Sequence, residues 1–352
     1  MSKILAVLLL PCFLQAQANT VADAQRHFDE AQRIAGTQWA AAARYFCSSE
    51  EQVAPGLPSI TAKDIEGQYV EPARLFDNLY FIGTKGVATF AITSAEGIIL
   101  IDSGYPDRVE PTLIAGMKKL GLNPADIKYV IVTHGHVDHY GGSWYLQEHF
   151  GSHVVLSAID WDLIEPKPGA KNRDPLPRRD VVAEEGKPIT LGDVQVIPVL
   201  IPGHTPGSLG LIFPVKDAGA PHMAGLFGGT ILSAGNKVPV ATFQEYVRSI
   251  EHFAEISRKW KVDVELQNHP LMDDTFTKTG DAPYAKARRP ESICCRRGGF
   301  WQLSERDVRM HAVPHRSSRR EMIAPLGGFF PGEMYPGRDP AKKQTTGRRP
   351  SH

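Results

Sequence analysis

The sequence predicts a layered α/β fold with mixed β-sheets in the central part of the chain. Short β-branched runs bounded by turn residues alternate with helical stretches, which is typical of layered α/β proteins. Closely spaced pairs of runs near both ends of this part indicate antiparallel hairpins beside parallel strands. The chain has 352 residues, of which 42% are hydrophobic and 22% charged, so it can form a sizeable core.

The individual elements follow one another from residue 22 to residue 266. Residues 22–48 are polar and Ala-rich and predict an N-terminal helical stretch. β-Branched content and turn flanks predict strands at 79–83, 88–93, 97–102, 128–133, 194–200, 209–213 and 262–266. Apolar residues at helical spacing predict helices at 109–120, 142–150 and 243–260, and Gly121 is placed to end the first of these.

The first 18 residues have the layout of a secretory signal rather than of a buried first helix. Lys3 precedes an apolar run from Ile4 to Leu14, and Ala16 and Ala18 follow it as a cleavage site. The apolar run is too short to span a bilayer in the mature chain. We therefore expect cleavage after Ala18 and export to a periplasm or beyond, without a membrane partner.

The charge of the chain divides it into two parts. The 39 basic and 39 acidic residues balance overall, which favours neither a nucleic acid nor a membrane as partner. From Lys286 onward, however, 15 basic residues stand against 6 acidic ones, and apolar patterning stops after about Ala282. We expect residues 19–284 to form the folded domain and residues 285–352 to be a disordered basic tail.

The stretch I-V-T-H-G-H-V-D-H-Y-G-G at residues 131–142 has three histidines and an aspartate within six positions. It follows a buried strand, at the sheet edge where layered α/β folds place their chemistry. Alternate residues of an extended loop point the same way, so His134 and His136 can bind one ion. Asp138 and His139 can face a second ion as the chain turns into a helix. Imidazole and carboxylate ligands favour zinc.

The segment T-H-G-H-V-D-H-Y-G-G resembles the signature of the metallo-β-lactamase superfamily, and the resemblance runs from about Leu75 to about Lys278. It implies a four-layer αββα sandwich, in which two mixed β-sheets are flanked by helices. It also implies three further site residues. His204, in P-G-H-T-P-G-S, completes the first zinc site, His269, in Q-N-H-P, completes the second, and Asp102, in I-D-S-G-Y, supports the ligand loop.

One departure from the superfamily pattern indicates which branch of the superfamily the chain resembles most. Glyoxalase II, the lactonases and the ribonuclease-like branches usually carry a metal-bridging aspartate in a G-D motif, whereas residues 227–233 read F-G-G-T-I-L-S. No cysteine occupies a ligand position either. This ligand set resembles most the third subclass of metallo-β-lactamases. That subclass implies two zinc ions per chain, whose hydroxide opens a β-lactam amide, with Asp138 as ligand and catalytic residue and with Thr230 and Ser233 as substrate contacts.

Two other functions stay open. The chain could be a dizinc hydrolase of the same fold that acts on another ester, thioester or lactone, or it could be a non-catalytic zinc-binding remnant. A serine hydrolase is disfavoured because the chain has no G-x-S-x-G motif. We expect a small-molecule substrate, no nucleic-acid partner and a monomer.

The tail suggests a hypothesis about the gene. The resembling family ends in a segment with P-N-P-F and a closing helix, whereas residues 290–310 read P-E-S-I-C-C-R-R-G-G-F-W-Q-L-S-E-R-D-V-R-M. Codons exist that encode this stretch in one frame and a P-N-P-F segment in the neighbouring frame. We therefore hold that a frameshift near residue 290 could have produced the tail, which resequencing of the gene would test.

Overall fold

The structure, a computed structural model, describes residues 25–36, 40, 42–43, 69–166, 175–232 and 238–272. Three expectations concern residues outside these ranges: the secretory signal at 1–18, the basic tail at 285–352 and the substrate contact at Ser233. They therefore stay predictions.

Seven strands form the first β-sheet, and their order in space is their order along the chain. The strands are β1 (Ala73–Phe76), β2 (Leu79–Phe81), β3 (Phe90–Ser94), β4 (Gly97–Ile101), β5 (Ile127–Ile131), β6 (His153–Ser157) and β7 (Val181–Ala183). Each strand from β1 to β4 is antiparallel to the next one in that run, whereas β4, β5, β6 and β7 are parallel to one another. This sheet is therefore mixed, as expected.

Five strands form the second β-sheet, in the spatial order β12-β11-β10-β9-β8. The strands are β8 (Ile189–Leu191), β9 (Val194–Leu200), β10 (Leu209–Asp217), β11 (Ala220–Phe227) and β12 (Val264–Leu266). Neighbours are antiparallel except for β11 and β12, which are parallel because a long helix connects them. The second sheet is mixed as well.

Helices occur between many of these strands. They are α1 (residues 25–35), α2 (Ala115–Lys119), α3 (Val137–Tyr140), α4 (Ser143–Phe150), α5 (Ala158–Ile164) and α6 (Val240–Lys259), with a π-helical turn (Val109–Ile114) directly before α2. Residues 40, 42 and 43 are also helical. No helix in the described part of the chain combines the length and the hydropathy that crossing a bilayer requires.

Strand β4 shows how the sequence builds the layers. Its residues Ile99 and Ile101 face the core between the two sheets, whereas Leu100 faces the helices on the outer side. Both faces are buried, which is why β4 reads as a continuous apolar run without polar alternation. On the outer side of the second sheet, α6 packs Tyr246 and Phe253 against the strands. The order helix, sheet, sheet, helix confirms the expected αββα sandwich.

The observed elements differ from the predicted ones in two ways. The predicted helix 109–120 begins as the π-helical turn and ends at Gly121, which takes the left-handed conformation (φ 72°) that favours glycine. Strands β1, β6, β7, β8 and β11 and helices α3 and α5 were not predicted. Helix α5 has only seven residues, too few for an apolar period to stand out.

Candidate metal centre

The loop that follows β5 carries four of the six predicted metal ligands. Thr133 and His134 continue from the end of the strand, and His136 keeps an extended backbone (φ −99°, ψ 149°) as the N-cap of α3. Asp138 and His139 then lie on this short helix. The change from extended to helical backbone directs the two pairs of side chains to two different places.

The first group consists of His134, His136 and His204, whose potential ligand nitrogens all lie within 4.8 Å of one another. Nε2 of His204 lies 2.9 Å from Nε2 of His134 and 2.9 Å from Nδ1 of His136. His204 comes from the loop between β9 and β10. His134 is buried and His136 is exposed, so one side of the first group is open to solvent.

The second group consists of Asp138, His139 and His269, whose potential ligand atoms also lie within 4.8 Å of one another. Nε2 of His139 lies 3.2 Å from Nε2 of His269 and 3.3 Å from Oδ2 of Asp138. His269 follows β12 at the end of the second sheet. The rings of His134 and His139 have centroids 4.0 Å apart, so the two groups are direct neighbours.

Oxygen atoms behind the site orient three of the imidazole rings. Nδ1 of His134 lies 2.8 Å from the carbonyl oxygen of Gly228, and Nδ1 of His269 lies 2.8 Å from that of Gly86. Nδ1 of His139 lies 2.7 Å from Oδ2 of Asp102. Each Nδ1 donates its proton to these acceptors, which directs Nε2 into the site, where its lone pair is available to a metal ion when the ring is neutral.

This arrangement fits divalent metal ions. With its Nδ1 protonated, His134 presents an Nε2 lone pair to the ring nitrogen of His204 at 2.9 Å, and a metal ion between such nitrogens removes their repulsion. The donors are five imidazoles and one carboxylate, without a thiolate. This set suits zinc, which binds imidazole nitrogen and carboxylate oxygen in tetrahedral sites.

Asp102 connects the end of β4 to the ligand loop that follows β5. Its Oδ1 accepts a hydrogen bond from the backbone N–H of Thr133 (2.7 Å), and its Oδ2 accepts one from the Thr133 hydroxyl (3.0 Å) besides the bond from His139. Asp102 has a φ of 59°, which is unfavourable for a residue with a Cβ and persists only where surrounding bonds enforce it. The residue thus lies where the sequence placed it, behind the ligand loop.

The two groups have different charge states before any metal binds. Burial lowers the pKa of His134 and of His204 well below the usual value, and neighbouring histidines lower both further. Burial also lowers the pKa of His139, but Asp138 and Asp102 outweigh it and raise this pKa to about 10. Burial raises the pKa of Asp138, yet the charge of His139 holds it well below its usual value. The first group is therefore neutral, and the second contains an aspartate–imidazolium pair.

Thr230, one of the two expected substrate contacts, is buried next to the site. Its hydroxyl lies 2.9 Å from the carbonyl oxygen of Phe227 and 2.5 Å from Oε1 of Gln267. Its own carbonyl oxygen accepts a hydrogen bond from the Tyr246 hydroxyl at 2.8 Å. The Thr230 hydroxyl is thus engaged by the protein and would have to exchange a partner in order to bind a substrate.

Two supporting residues were not predicted. The buried Asp160 accepts hydrogen bonds from both loops of the first group. Asn268 donates to the Thr133 hydroxyl at 3.1 Å and to the Gly228 carbonyl at 2.7 Å. Asn268 precedes a predicted ligand in the motif Q-N-H-P, which is a weak signal, whereas Asp160 belongs to no motif.

Comparison with known proteins shows which family the central part of the chain resembles. Residues 82–218 match the family model described as the metallo-beta-lactamase superfamily. The matched span contains five of the six predicted ligands: the four on the β5 loop, and His204 on the β9–β10 loop. Over these residues the chain is similar to the metallo-β-lactamase superfamily. The two-sheet sandwich is the metallo-β-lactamase fold, and the zinc that this family uses suits the donors present.

Curated relatives in this superfamily act on different substrates. The chain is 35% identical over 107 residues to the hydroxyacylglutathione hydrolase GloC of Haemophilus influenzae, an alignment that covers 28% of this chain and 49% of the relative. It is 22% identical over 200 residues to an N-acyl homoserine lactonase of a Bacillus species, covering 49% of this chain and 76% of the relative. The chain thus spans about half the length of the first relative, and these likenesses do not fix a substrate.

Solved structures of the superfamily match a larger part of the chain. BJP-1, a subclass B3 metallo-β-lactamase of Bradyrhizobium japonicum, is 28% identical, and the match covers 68% of this chain and 91% of that structure with a TM-score of 0.57. A β-lactamase from Chitinophaga pinensis is 25% identical and matches with a TM-score of 0.58, covering 72% of this chain and 98% of that structure. Both confirm the fold, and BJP-1 supports a similarity to subclass B3.

Proposed function

We propose that the chain is an exported hydrolase that opens the amide of β-lactam antibiotics with two zinc ions. The solved structures that it resembles over most of their length include β-lactamases. The observation that carries the proposal within the superfamily is the glycine at position 229, in a motif where other branches have a metal-bridging aspartate.

Gly229 is packed so tightly that a side chain would disturb the first group. A Cβ atom added at this position would lie 3.1 Å from Cβ of His204 and 3.0 Å from Oγ of Ser208. The preceding Gly228 is more confined, since an added Cβ would lie 2.5 Å from Cβ of Thr133. Among the described residues, Asp138 is the one carboxylate that belongs to either group. A glycine in place of the bridging aspartate favours the β-lactamase branch over the lactonase and glyoxalase branches.

His134, His136 and His204 would hold one zinc ion, and Asp138, His139 and His269 would hold the other. Zinc bound in such a site lowers the pKa of a water molecule from about 15.7 to about 7 and polarises a carbonyl, which supplies a nucleophile at neutral pH. The acceptors behind the rings bind Nδ1 of His134, His139 and His269 and so direct their Nε2 atoms inward.

Asp138 is the residue that we propose as catalytic beyond its role as ligand. Its side chain is partly exposed to the site, and its lowered pKa keeps it ionised at neutral pH. An ionised carboxylate at this place can accept a hydrogen bond from the attacking water and orient it toward the substrate carbonyl. We further propose that Thr230 and Ser233 contact the substrate carboxylate.

A second candidate is hydrolysis of a lactone or a thioester, which the relatives from Bacillus and Haemophilus influenzae favour. A substrate panel separates the two: nitrocefin and imipenem against an N-acyl homoserine lactone and an acylglutathione thioester. We expect kcat/KM to be at least tenfold higher for a β-lactam than for either of the others. A preference for the lactone or the thioester would favour the second candidate, and zinc binding without any turnover would favour a non-catalytic remnant.

Export and assembly complete the proposal. We propose that the chain is cleaved after Ala18, acts as a monomer in the periplasm, and would there confer β-lactam resistance on a Gram-negative host. N-terminal sequencing of the protein recovered from a periplasmic extract tests the cleavage: a mature chain that starts at Asn19 is expected, and an intact Met1 would contradict it.

A further inference from the structure

Asp160 is a fully buried carboxylate at the start of α5, outside both metal-binding groups. Its backbone N–H donates to the hydroxyl of Ser157, which is the N-cap of this helix. The residue is therefore held by a capped helix that packs through Trp161 on the outer side of the first sheet. Its position is fixed independently of the loops that carry the ligands.

The carboxylate of Asp160 accepts hydrogen bonds from both loops of the first group. Oδ2 accepts one from the backbone N–H of Gly135 (2.7 Å), which lies between His134 and His136, and one from the hydroxyl of Thr205 (2.7 Å), which follows His204. Oδ1 accepts one from the backbone N–H of Gly207 (3.0 Å). Bonds that a carboxylate accepts from such donors are short and directional, so a single side chain sets the separation of the two loops.

The backbones of the two loops pack closely against side chains of α5. A Cβ atom added to Gly207 would lie 2.5 Å from Oδ1 of Asp160, and one added to Gly135 would lie 3.0 Å from a methyl carbon of Ile164. The two glycines therefore allow the peptide N–H groups to reach the carboxylate. Both glycines, Gly135 in H-G-H and Gly207 in P-G-S, pack against α5, where an added Cβ atom would be crowded.

We propose that Asp160 is a positioning residue that holds His134 and His136 at the correct distance from His204 for one metal ion. The inference rests on the proposed metal centre. Its prediction does not depend on which substrate the protein hydrolyses. Loss of the Asp160 carboxylate should weaken metal binding by the first group and leave metal binding by the second group unchanged. No contact of the Asp160 side chain within the described residues reaches Asp138, His139 or His269.

Two background variants isolate the groups for measurement. His269→Ala leaves only the first group complete, and His204→Ala leaves only the second. In each background, the zinc dissociation constant is measured with and without Asp160→Asn, by competition with a chromophoric chelator. We expect Asp160→Asn to raise the first group's dissociation constant about 10- to 100-fold, as for other residues that orient metal ligands. We expect a change of less than threefold for the second group.

Thr205 provides a milder test if Asp160→Asn does not fold. Thr205→Val removes one of the three donors, and Thr205→Ser retains it, so only the valine variant should raise the first group's dissociation constant. Ser152→Ala is the control for general destabilisation, since Ser152 is buried and bonds the carbonyl of Ile127 at the opposite end of β5. It should leave both dissociation constants unchanged.

The outcomes separate the two proposals. If the unmodified chain binds no zinc in either group, the proposed metal centre fails. If both groups bind zinc, two results would overturn the positioning role of Asp160. One is an unchanged zinc dissociation constant of the first group in Asp160→Asn, and the other is an equal rise in the dissociation constants of both groups. If Asp160→Asn does not fold, equal zinc affinity of Thr205→Val and Thr205→Ser overturns it instead.

Discussion

Oδ2 of Asp102 lies 2.7 Å from Nδ1 of His139, and neither side chain is exposed to solvent. The aspartate follows strand β4 and the histidine lies on helix α3, so the bond joins the end of one strand to the ligand loop of the next. It also fixes the proton of His139 on Nδ1 and leaves Nε2 for a metal ion. In the second group, the orientation of the His139 ring therefore depends on this contact.

Asp102→Asn should therefore weaken the second group. The amide cannot accept all of the hydrogen bonds that Thr133 and His139 donate, so one donor loses its partner. We expect the zinc dissociation constant of the second group to rise about 10- to 100-fold, measured by chelator competition in the His204→Ala background. Asp126→Asn, at an exposed position, is the matched control and should have no effect. An unchanged dissociation constant in Asp102→Asn would contradict the role assigned to this bond.

Removal of a first-group ligand should abolish both zinc binding there and hydrolysis. His134→Ala and His204→Ala each leave two of three protein ligands. We expect about one zinc ion less per chain by elemental analysis and no measurable β-lactam turnover in either variant. His149→Ala, which removes an exposed histidine on α4, should retain full zinc content and activity. Full activity with two zinc ions in His134→Ala or His204→Ala would show that the first group has been assigned wrongly.

Asp138→Asn tests the catalytic carboxylate. The amide fills the same space but binds zinc poorly and cannot accept a hydrogen bond at both oxygens. We expect kcat to fall at least about 10²-fold, which is the usual loss when an electrostatic group of a hydrolase is removed. A fall of less than threefold at full zinc occupancy would exclude Asp138 from the reaction.

The two groups should respond differently to pH. The pKa of His139 is raised to about 10, so this ring is protonated at neutral pH and must lose its proton before it can bind zinc. The pKa values of His134 and His204 are lowered, so the first group needs no such loss. Raising the pH from 6 to 9 should therefore lower the second group's apparent dissociation constant by about tenfold per unit. The first group should change far less, and equal slopes would contradict the assigned charge states.

The six side chains that were predicted as ligands come together in two groups in the structure, and they occur in short motifs at strand ends. His134, His136, Asp138 and His139 are close in the chain, and a strand that ends at the sheet edge fixes their place. His204 and His269 were found only through the resemblance, and the structure brings His204 to within 2.9 Å of His134 and His269 to within 3.2 Å of His139. Local spacing therefore predicts the four residues of one loop, but not the two that come from distant parts of the chain.

Asp160 could not be predicted in the same way. Its partners Gly135 and Thr205 lie 25 and 45 residues away, and only the packing of α5 against both loops brings them together. A single aspartate without a motif carries no sign of such contacts. Thr230 was placed at the site only through the resemblance, and its motif could not show that its hydroxyl is bonded to Phe227 and Gln267.

The most direct test of the account is carbapenem hydrolysis by the purified protein, followed before and after removal of its metal. With two zinc ions per chain, we expect the protein to hydrolyse imipenem, to lose this activity on treatment with a chelator and to regain it when zinc is restored. A fully zinc-loaded protein that leaves imipenem and nitrocefin intact would contradict the proposed function.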